Sequence, residues 1–194
     1  MADKPVERNL EYLDELFEKR IIIIDKEFTE ETCAEWIGKL ILLDLQGAKT
    51  KKPIIILINS YGGDLHGALG LMRIIKNSVC PVYTVCIGIA QSSGSIILSA
   101  GKKRYSVPNA SIMIHCHRIS YNSEYNHFEI MNESEGSKKS FKQLEDYYVE
   151  VTGQTHPKIK KLLEKNSYLT AEEALSVGLI DEIGWDIHNW VTNK

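Results

Sequence analysis

Two apolar runs in this chain each end at a cluster of small residues, and a helical pattern starts directly afterwards. The run over residues 53–58 precedes Gly62 and Gly63, and the run over residues 81–88 precedes Ser92. Near-continuous apolar runs of this length are typical of strands buried on both faces of a parallel sheet. We therefore predict an α/β fold with a mostly parallel sheet, in which ligand-binding groups gather at the carboxyl ends of the strands.

The remaining segments continue the alternation of strands and helices. Amphipathic spacing and capping residues predict helices over about 10–17, after Thr29, after Gly63, from Ser92 to about Gly101, in the polar segment 120–153, after Thr155, and from Thr170 to Gly178. Thr170 and Glu173 form a capping-box pattern. Further strands are predicted at Ile21–Ile24, 104–107 and 111–115.

Length and composition limit the kind of protein this chain can be. At 194 residues, with 43% hydrophobic and 25% charged residues, the chain is predicted to form one globular domain spanning 1–194. A net charge of -3 argues against nucleic acid as a partner. The sequence has neither an apolar run near the ~20 residues of a membrane span nor a signal-peptide core, so we predict no membrane partner and a cytoplasmic location. Its four cysteines form no C-x-x-C pair, which favours reduced thiols over a disulfide or metal site.

The residue types around the two turns point to acyl-transfer chemistry. Ser92, Ser93 and Ser95 stand at the start of a helix, where N–H groups favour developing negative charge, and His115 ends a later strand. A serine there is usually only a helix cap, and a lone histidine among apolar residues usually belongs to the core. The paired glycines after the first run add backbone N–H groups that can approach a ligand closely. Together the turns and the histidine predict a serine nucleophile with a histidine base, and the choice among the three serines stays open.

The polar segment from residue 120 to 153 differs from the rest of the chain. Its middle, residues 132–140, has no apolar face, while apolar residues at helical spacing return near its end. Two interpretations fit this pattern: a solvated helix, or an arm that contacts another subunit.

Four motifs in order resemble those of the proteolytic subunits of ATP-dependent Clp proteases, the ClpP family. They are INSYGG at 58–63, CIGIAQSSG at 86–94, KRYSVPN at 103–109 with MIH at 113–115, and YLTAEEA at 168–174 with GLID at 178–181. The resemblance runs from about Tyr12 to Gly184. It implies that Ser92 is the nucleophile, that His115 is the general base, and that the N–H groups of Gly63 and Ser93 form the oxyanion hole.

The resemblance also implies an architecture and partners. The expected fold is the crotonase-like α/β fold of ClpP, a head with a helical handle over about 120–151. Seven subunits would form a ring, and rings would stack in pairs around a closed chamber, with a second ClpP-type subunit as an alternative composition. A separate AAA+ unfoldase would use ATP and deliver unfolded proteins, so this chain is expected to need no cofactor and no metal.

Departures from the family pattern suggest a divergent paralogue. Asn166 occupies the position of the acidic triad member, Tyr61 replaces a proline, and Ser93 replaces a methionine. The stretch 116–120 lacks the proline and paired glycines of the family's substrate-lining strand. An asparagine can orient the imidazole but cannot stabilise its protonated form, so we predict weak intrinsic activity.

Two other functions fit parts of the sequence. A nearly inactive structural or regulatory subunit of a mixed Clp complex would explain Asn166, but it would leave Ser92 and His115 without a purpose. A CoA-ester enzyme of the crotonase type would use a similar pair of N–H groups, but it needs no Ser–His pair. A membrane-linked peptidase with a Ser–Lys pair lacks support in the sequence.

Overall fold

The order of helices and strands follows the alternation predicted from the sequence. A computed structural model of the protein describes residues 11–116 and 127–185. Its helices are α1 (Glu11–Glu18), α2 (Glu30–Gly47), α3 (Leu65–Asn77), α4 (Ser93–Ala100), α5 (His127–Thr152), α6 (His156–Leu163) and α7 (Ala171–Val177). Its strands are β1 (Ile21–Ile24), β2 (Ile54–Ser60), β3 (Val82–Gln91), β4 (Lys103–Ser106), β5 (Ser111–Ile114), β6 (Ser167–Leu169) and β7 (Glu182–Ile183).

The described strands form one sheet in which almost every pairing is parallel. Strands β1, β2, β3, β4 and β7 are neighbours in that order, β5 pairs with β3, and β6 is antiparallel to β5. The predicted α/β class with a mostly parallel sheet is therefore confirmed. Strands β6 and β7 were not predicted, because two or three residues carry too little periodicity to mark a strand.

Strand β3 is longer than the predicted run over 81–88, and it changes partner along its length. On one edge, residues up to Cys86 pair with β4 and residues 89–91 pair with β5, whereas β2 remains the neighbour on the other edge, with Ser60 opposite Ala90. The register against β2 shifts between Ile58 and Ser60, where the change occurs. The carboxyl ends of β3 and β5 consequently lie side by side.

The core lies mainly between the sheet and the helices on one face. In β2 the alternate residues Ile54, Ile56 and Ile58 are fully buried in this larger cluster. Ile55 and Leu57 point to the other face and join a smaller cluster. Strand β2 is thus buried on both faces, as its unbroken apolar run predicts.

Helix α5 is divided between an exposed half and a buried half. Residues 128–136 are exposed, whereas Leu144, Tyr147 and Tyr148 are buried against the core. The part of the predicted handle before residue 127 lies outside the described residues. Within the described part of the chain, no helix is both long enough and apolar enough to cross a bilayer.

The ends of α7 confirm the capping pattern in the sequence. The Thr170 side chain accepts from the Glu173 N–H, and the Glu173 carboxylate accepts from the Thr170 N–H. The helix ends at Gly178, whose φ of 82° is left-handed, the conformation that glycine adopts most readily.

Candidate active site

Ser92 forms a sharp elbow between β3 and α4. Its backbone has φ 52° and ψ −120°, a positive φ that a non-glycine residue adopts only at an energetic cost of about 1–3 kcal/mol. The Ser92 N–H donates to the Met113 carbonyl of β5 at 2.9 Å, which ties the elbow to the neighbouring strand. Strain of this kind persists where the surrounding structure fixes the backbone, and it is characteristic of functional sites.

His115 follows β5 directly and reaches the serine of the elbow. Gln91 pairs with Met113, so Ser92 and His115 leave adjacent parallel strands at the same edge of the sheet. The distance from His115 Nε2 to Ser92 Oγ is 2.8 Å, within hydrogen-bonding range. The two side chains that the sequence pattern singled out therefore meet in the geometry of a nucleophile and its base.

The other two serines of the cluster make different contacts. The Ser93 hydroxyl donates to the Gly63 carbonyl at 2.9 Å, and the Ser95 hydroxyl donates to the Ser92 carbonyl at 2.6 Å. Both side chains are buried. Of the three candidates, Ser92 is the one whose hydroxyl meets the imidazole.

The turn after β2 requires both of its glycines. Gly62 and Gly63 have φ values of 101° and 141°. A Cβ on Gly62 would lie 2.7 Å from the Ser92 Cβ, and one on Gly63 would lie 2.3 Å from the Phe28 carbonyl oxygen. The missing side chain of Gly62 lets the turn approach the elbow, and that of Gly63 lets it approach the backbone of Phe28.

Backbone contacts hold this turn in place and leave two N–H groups at the site. Phe28 donates its N–H to Gly62 and accepts from the Asp64 N–H, at 2.9 and 2.7 Å. The N–H groups of Gly63 and Ser93 donate no hydrogen bond to any residue that the structure describes. Two such donors beside the Ser92 hydroxyl have the composition that an oxyanion hole requires.

A cavity of about 670 Å³ opens in front of Ser92 and His115. Helix α5 forms one wall, and its lining side chains change from polar at Glu133 and Ser140 to largely apolar at Leu144 and Tyr148. The cavity therefore offers apolar surface close to the elbow and polar surface farther away. The sequence did not indicate this contribution of α5, because it depends on how the helix packs across the sheet.

Asn166 lies directly before β6, opposite the end of β5. The antiparallel register pairs Ile114 with Ser167, so the next opposed positions are His115 and Asn166. Asn166 is exposed, and no hydrogen bond joins it to His115 among those that the described residues form. The strand register therefore places Asn166 opposite His115, without a side-chain hydrogen bond between the two in the described part of the chain. Residues 117–126, which include most of the altered stretch after His115, lie outside the described residues.

In the part of the chain that the structure describes, no three His, Cys, Asp or Glu side chains form a cluster that could hold a metal ion. Burial raises the pKa of the Cys86 thiol to about 11, so that this thiol stays protonated and unreactive at neutral pH.

Comparison with known proteins agrees with the geometry. The family model described as Clp protease matches residues 4–186, which is nearly the whole chain. The mixed sheet and the helices on it are consistent with the ClpP fold that the sequence motifs implied. The chain therefore belongs to the Clp protease family, as a ClpP-type proteolytic subunit.

Proposed function

We propose that the protein is a serine-type endopeptidase subunit of an ATP-dependent Clp protease. Its substrates are unfolded proteins and short peptides. The observation that carries the proposal is the 2.8 Å contact between Ser92 Oγ and His115 Nε2 at a strained elbow beside two unused N–H groups. This arrangement suits attack on a peptide carbonyl.

In the acylation step the Ser92 oxygen attacks the carbonyl carbon while His115 Nε2 accepts the hydroxyl proton. The negative charge that develops on the carbonyl oxygen is stabilised by the N–H groups of Gly63 and Ser93. His115 then gives its proton to the departing amine, the C–N bond breaks, and Ser92 remains as an ester.

Deacylation repeats the same steps with water. His115 accepts a proton from the water, and the hydroxide attacks the ester carbonyl within the same pair of N–H donors. The second tetrahedral intermediate collapses with return of the proton to Ser92 Oγ. Nucleophile and base are both side chains, so the reaction as proposed needs neither a cofactor nor a metal.

Intrinsic turnover is weak in this proposal because Asn166 is neutral and exposed. The imidazolium formed in each step lacks a carboxylate from that position to stabilise it. A nearly inactive subunit that serves assembly is the alternative, and the retained Ser92–His115 contact favours the catalytic function.

Assembly into heptameric rings, stacked in pairs or completed by a second ClpP-type subunit, belongs to the same proposal. Ile130 and Met131 on the exposed half of α5 are 49% and 54% exposed. Adjacent apolar side chains with this exposure suit contact with another subunit. A separate AAA+ unfoldase would bind the ring, hydrolyse ATP and deliver substrates.

Labelling with a fluorophosphonate probe tests the proposed nucleophile. The purified protein, alone and mixed with cell extract, should acquire the probe on Ser92, located by peptide mass spectrometry. Ser92→Ala should remove labelling, and the control Ser99→Ala should retain it. An adduct on Ser93 or Ser95, undiminished labelling of Ser92→Ala, or no labelling of the wild type in either condition would contradict the proposal.

A further inference from the structure

A buried chain of hydrogen bonds connects α5 to the backbone of the elbow. The Ser95 hydroxyl donates to the Ser92 carbonyl oxygen at 2.6 Å, and the Ser95 and Tyr148 hydroxyl oxygens are 2.8 Å apart. Ser95 and Tyr148 are each 1% exposed. These hydrogen bonds therefore lie in a water-poor environment, where hydrogen bonds are strong and an unpaired hydroxyl is costly.

The direction of the chain follows from counting protons. A serine hydroxyl carries a single hydrogen, and Ser95 gives it to the Ser92 carbonyl. Tyr148 must then be the donor to Ser95. Burial raises the pKa of Tyr148 well above its ordinary value, although the Ser95 hydrogen bond opposes the shift, so the phenol keeps its proton throughout the physiological range. The donors run from Tyr148 through Ser95 to Ser92.

The Ser92 carbonyl shares its peptide plane with the Ser93 N–H. In a trans peptide the C=O and N–H groups point in opposite directions, so a contact that fixes one also aims the other. The Ser95 and Ile96 N–H groups reach the same carbonyl at 2.9 and 3.4 Å, the second being long for a hydrogen bond. The Ser95 hydroxyl is the closest of the three donors.

We infer that Ser95 and Tyr148 are positioning residues, which hold the Ser92–Ser93 peptide plane so that the Ser93 N–H faces the oxyanion. This inference rests on the proposed serine peptidase function. The elbow is strained at φ 52°, and such a backbone tends to relax unless neighbouring contacts fix it. The Ser95 hydroxyl of α4, which Tyr148 of α5 holds in place, supplies that restraint. The hydroxyls of Ser95 and Tyr148 thereby link the packing of α5 to the oxyanion hole.

The same helix pair contains a second contact of the same chemistry that does not touch the elbow. The Tyr147 hydroxyl donates to the Ile96 carbonyl at 2.9 Å and lies 3.0 Å from the Ser99 hydroxyl, which also contacts that carbonyl. Both tyrosines tie α5 to α4, and both are buried. The peptide plane at Ile96 contains neither of the proposed oxyanion donors. Ser99 and Tyr147 are therefore matched controls for Ser95 and Tyr148.

The experiment compares Ser95→Ala and Tyr148→Phe with Ser99→Ala and Tyr147→Phe. For each variant, kcat and KM are measured with a short fluorogenic peptide, together with oligomeric state and thermal stability. Loss of a whole oxyanion donor costs about 10²–10³ in kcat, so a misaligned donor should cost about tenfold in Ser95→Ala. Tyr148→Phe leaves the Ser95 donor in place, and we expect a decrease of about threefold. KM should stay within about twofold, since the contact acts chiefly in the transition state.

Two further measurements separate positioning from a general structural role. Affinity for a peptide aldehyde, whose tetrahedral adduct places an oxygen in the oxyanion hole, should fall in parallel with kcat. The double variant S95A/Y148F should be no slower than Ser95→Ala, because both changes interrupt one chain. The control variants should lose stability to a similar degree and keep kcat within about twofold.

The outcomes distinguish this inference from the proposed function. If the wild type cleaves the peptide and Ser95→Ala is no slower than Ser99→Ala, the positioning role is overturned and the peptidase function stands. An unchanged aldehyde affinity in Ser95→Ala would overturn it as well. If the wild type neither cleaves peptide nor reacts with the fluorophosphonate probe, the proposed function fails and the inference fails with it.

Discussion

The two turns that form the candidate site both require a backbone with positive φ, but they use different residues to achieve it. Both follow adjacent parallel strands, and both enter a helix with positive φ. The turn after β2 uses Gly62 and Gly63, for which such angles carry little cost. The turn after β3 uses Ser92, for which a φ of 52° is strained.

The difference reflects what each turn has to contribute. The glycine turn supplies only backbone, and a Cβ on Gly63 would lie 2.3 Å from Phe28 oxygen. The serine turn must present a hydroxyl to His115, so a residue with a side chain stays despite the strain. The glycine turn therefore allows close backbone approach at little cost, whereas the serine turn keeps a hydroxyl beside His115 at the cost of backbone strain.

The sharpest test of this comparison is at Ser92 itself. Ser92→Ala and Ser92→Gly should both lower kcat by about 10⁴–10⁶, the range for loss of a serine nucleophile. Only the glycine variant relieves the strain, so its free energy of unfolding should exceed that of the alanine variant by about 1 kcal/mol. Urea denaturation and peptide cleavage measure the two effects. Equal stability of the two variants would show that the elbow is not strained.

The glycine turn should respond in the opposite way to an added methyl group. Gly63→Ala must displace backbone atoms of Phe28, and we expect a loss of about 2–4 kcal/mol together with a 10²–10³-fold decrease in kcat. Gly38→Ala is the matched control, because Gly38 lies inside α2 with nothing within 4 Å of the added Cβ. That change should stabilise the protein by about 0.5–1 kcal/mol and leave turnover unaltered. A tolerated Gly63→Ala would refute the packing argument.

The substitution Asn166→Asp tests whether His115, rather than either turn, limits the rate of peptide cleavage. A carboxylate opposite His115 would stabilise the imidazolium, so kcat should rise by about tenfold, with the roughly 10⁴ of a trypsin-type triad as the ceiling. KM should change little, because the gain arises in the transition state. Cleavage of a short peptide at matched oligomeric state measures this. A variant no faster than wild type would show that a carboxylate at position 166 does not act on His115.

A contact distant from both turns should affect stability alone. Asp181 is partly buried, which would raise its pKa, but hydrogen bonds from Arg104 outweigh that effect and lower it. A carboxyl with a lowered pKa stabilises the fold at neutral pH, and this contribution disappears as the pH falls below about 4 through the folded-state pKa. Asp181→Asn should therefore cost about 1 kcal/mol at pH 7, since the carboxylate is 41% exposed, and less at pH 2.5.

Urea unfolding between pH 2.5 and 7 measures this dependence, with peptide cleavage as the control. Turnover within about twofold of wild type would show that the effects at the two turns are local. A matching loss of kcat in Asp181→Asn would instead mean that any destabilisation reduces activity.

Much of the fold could be predicted because its signals are local in sequence. The apolar run of β2, the capping box at Thr170 and the end of the last helix at Gly178 each depend on a few consecutive residues. Period, capping and permitted φ values depend on such neighbours, which is why these predictions are confirmed. Strands β6 and β7 and the extension of β3 were missed, because pairing with β5 or with β4 creates them.

The sequence by itself determined that small residues or a histidine follow three strands, and hence that a serine hydroxyl, an imidazole and backbone N–H groups gather at one edge of the sheet. The family motifs already pointed to Ser92 among the three serines, but only the tertiary structure gave the physical reason: the Ser92 hydroxyl meets His115, whereas Ser93 and Ser95 use their hydroxyls on carbonyls of the turns. It also set the position of Asn166 and the contact of Tyr148. The physical reason is that strand register and helix packing are non-local: they fix distances between side chains that the order of residues leaves open.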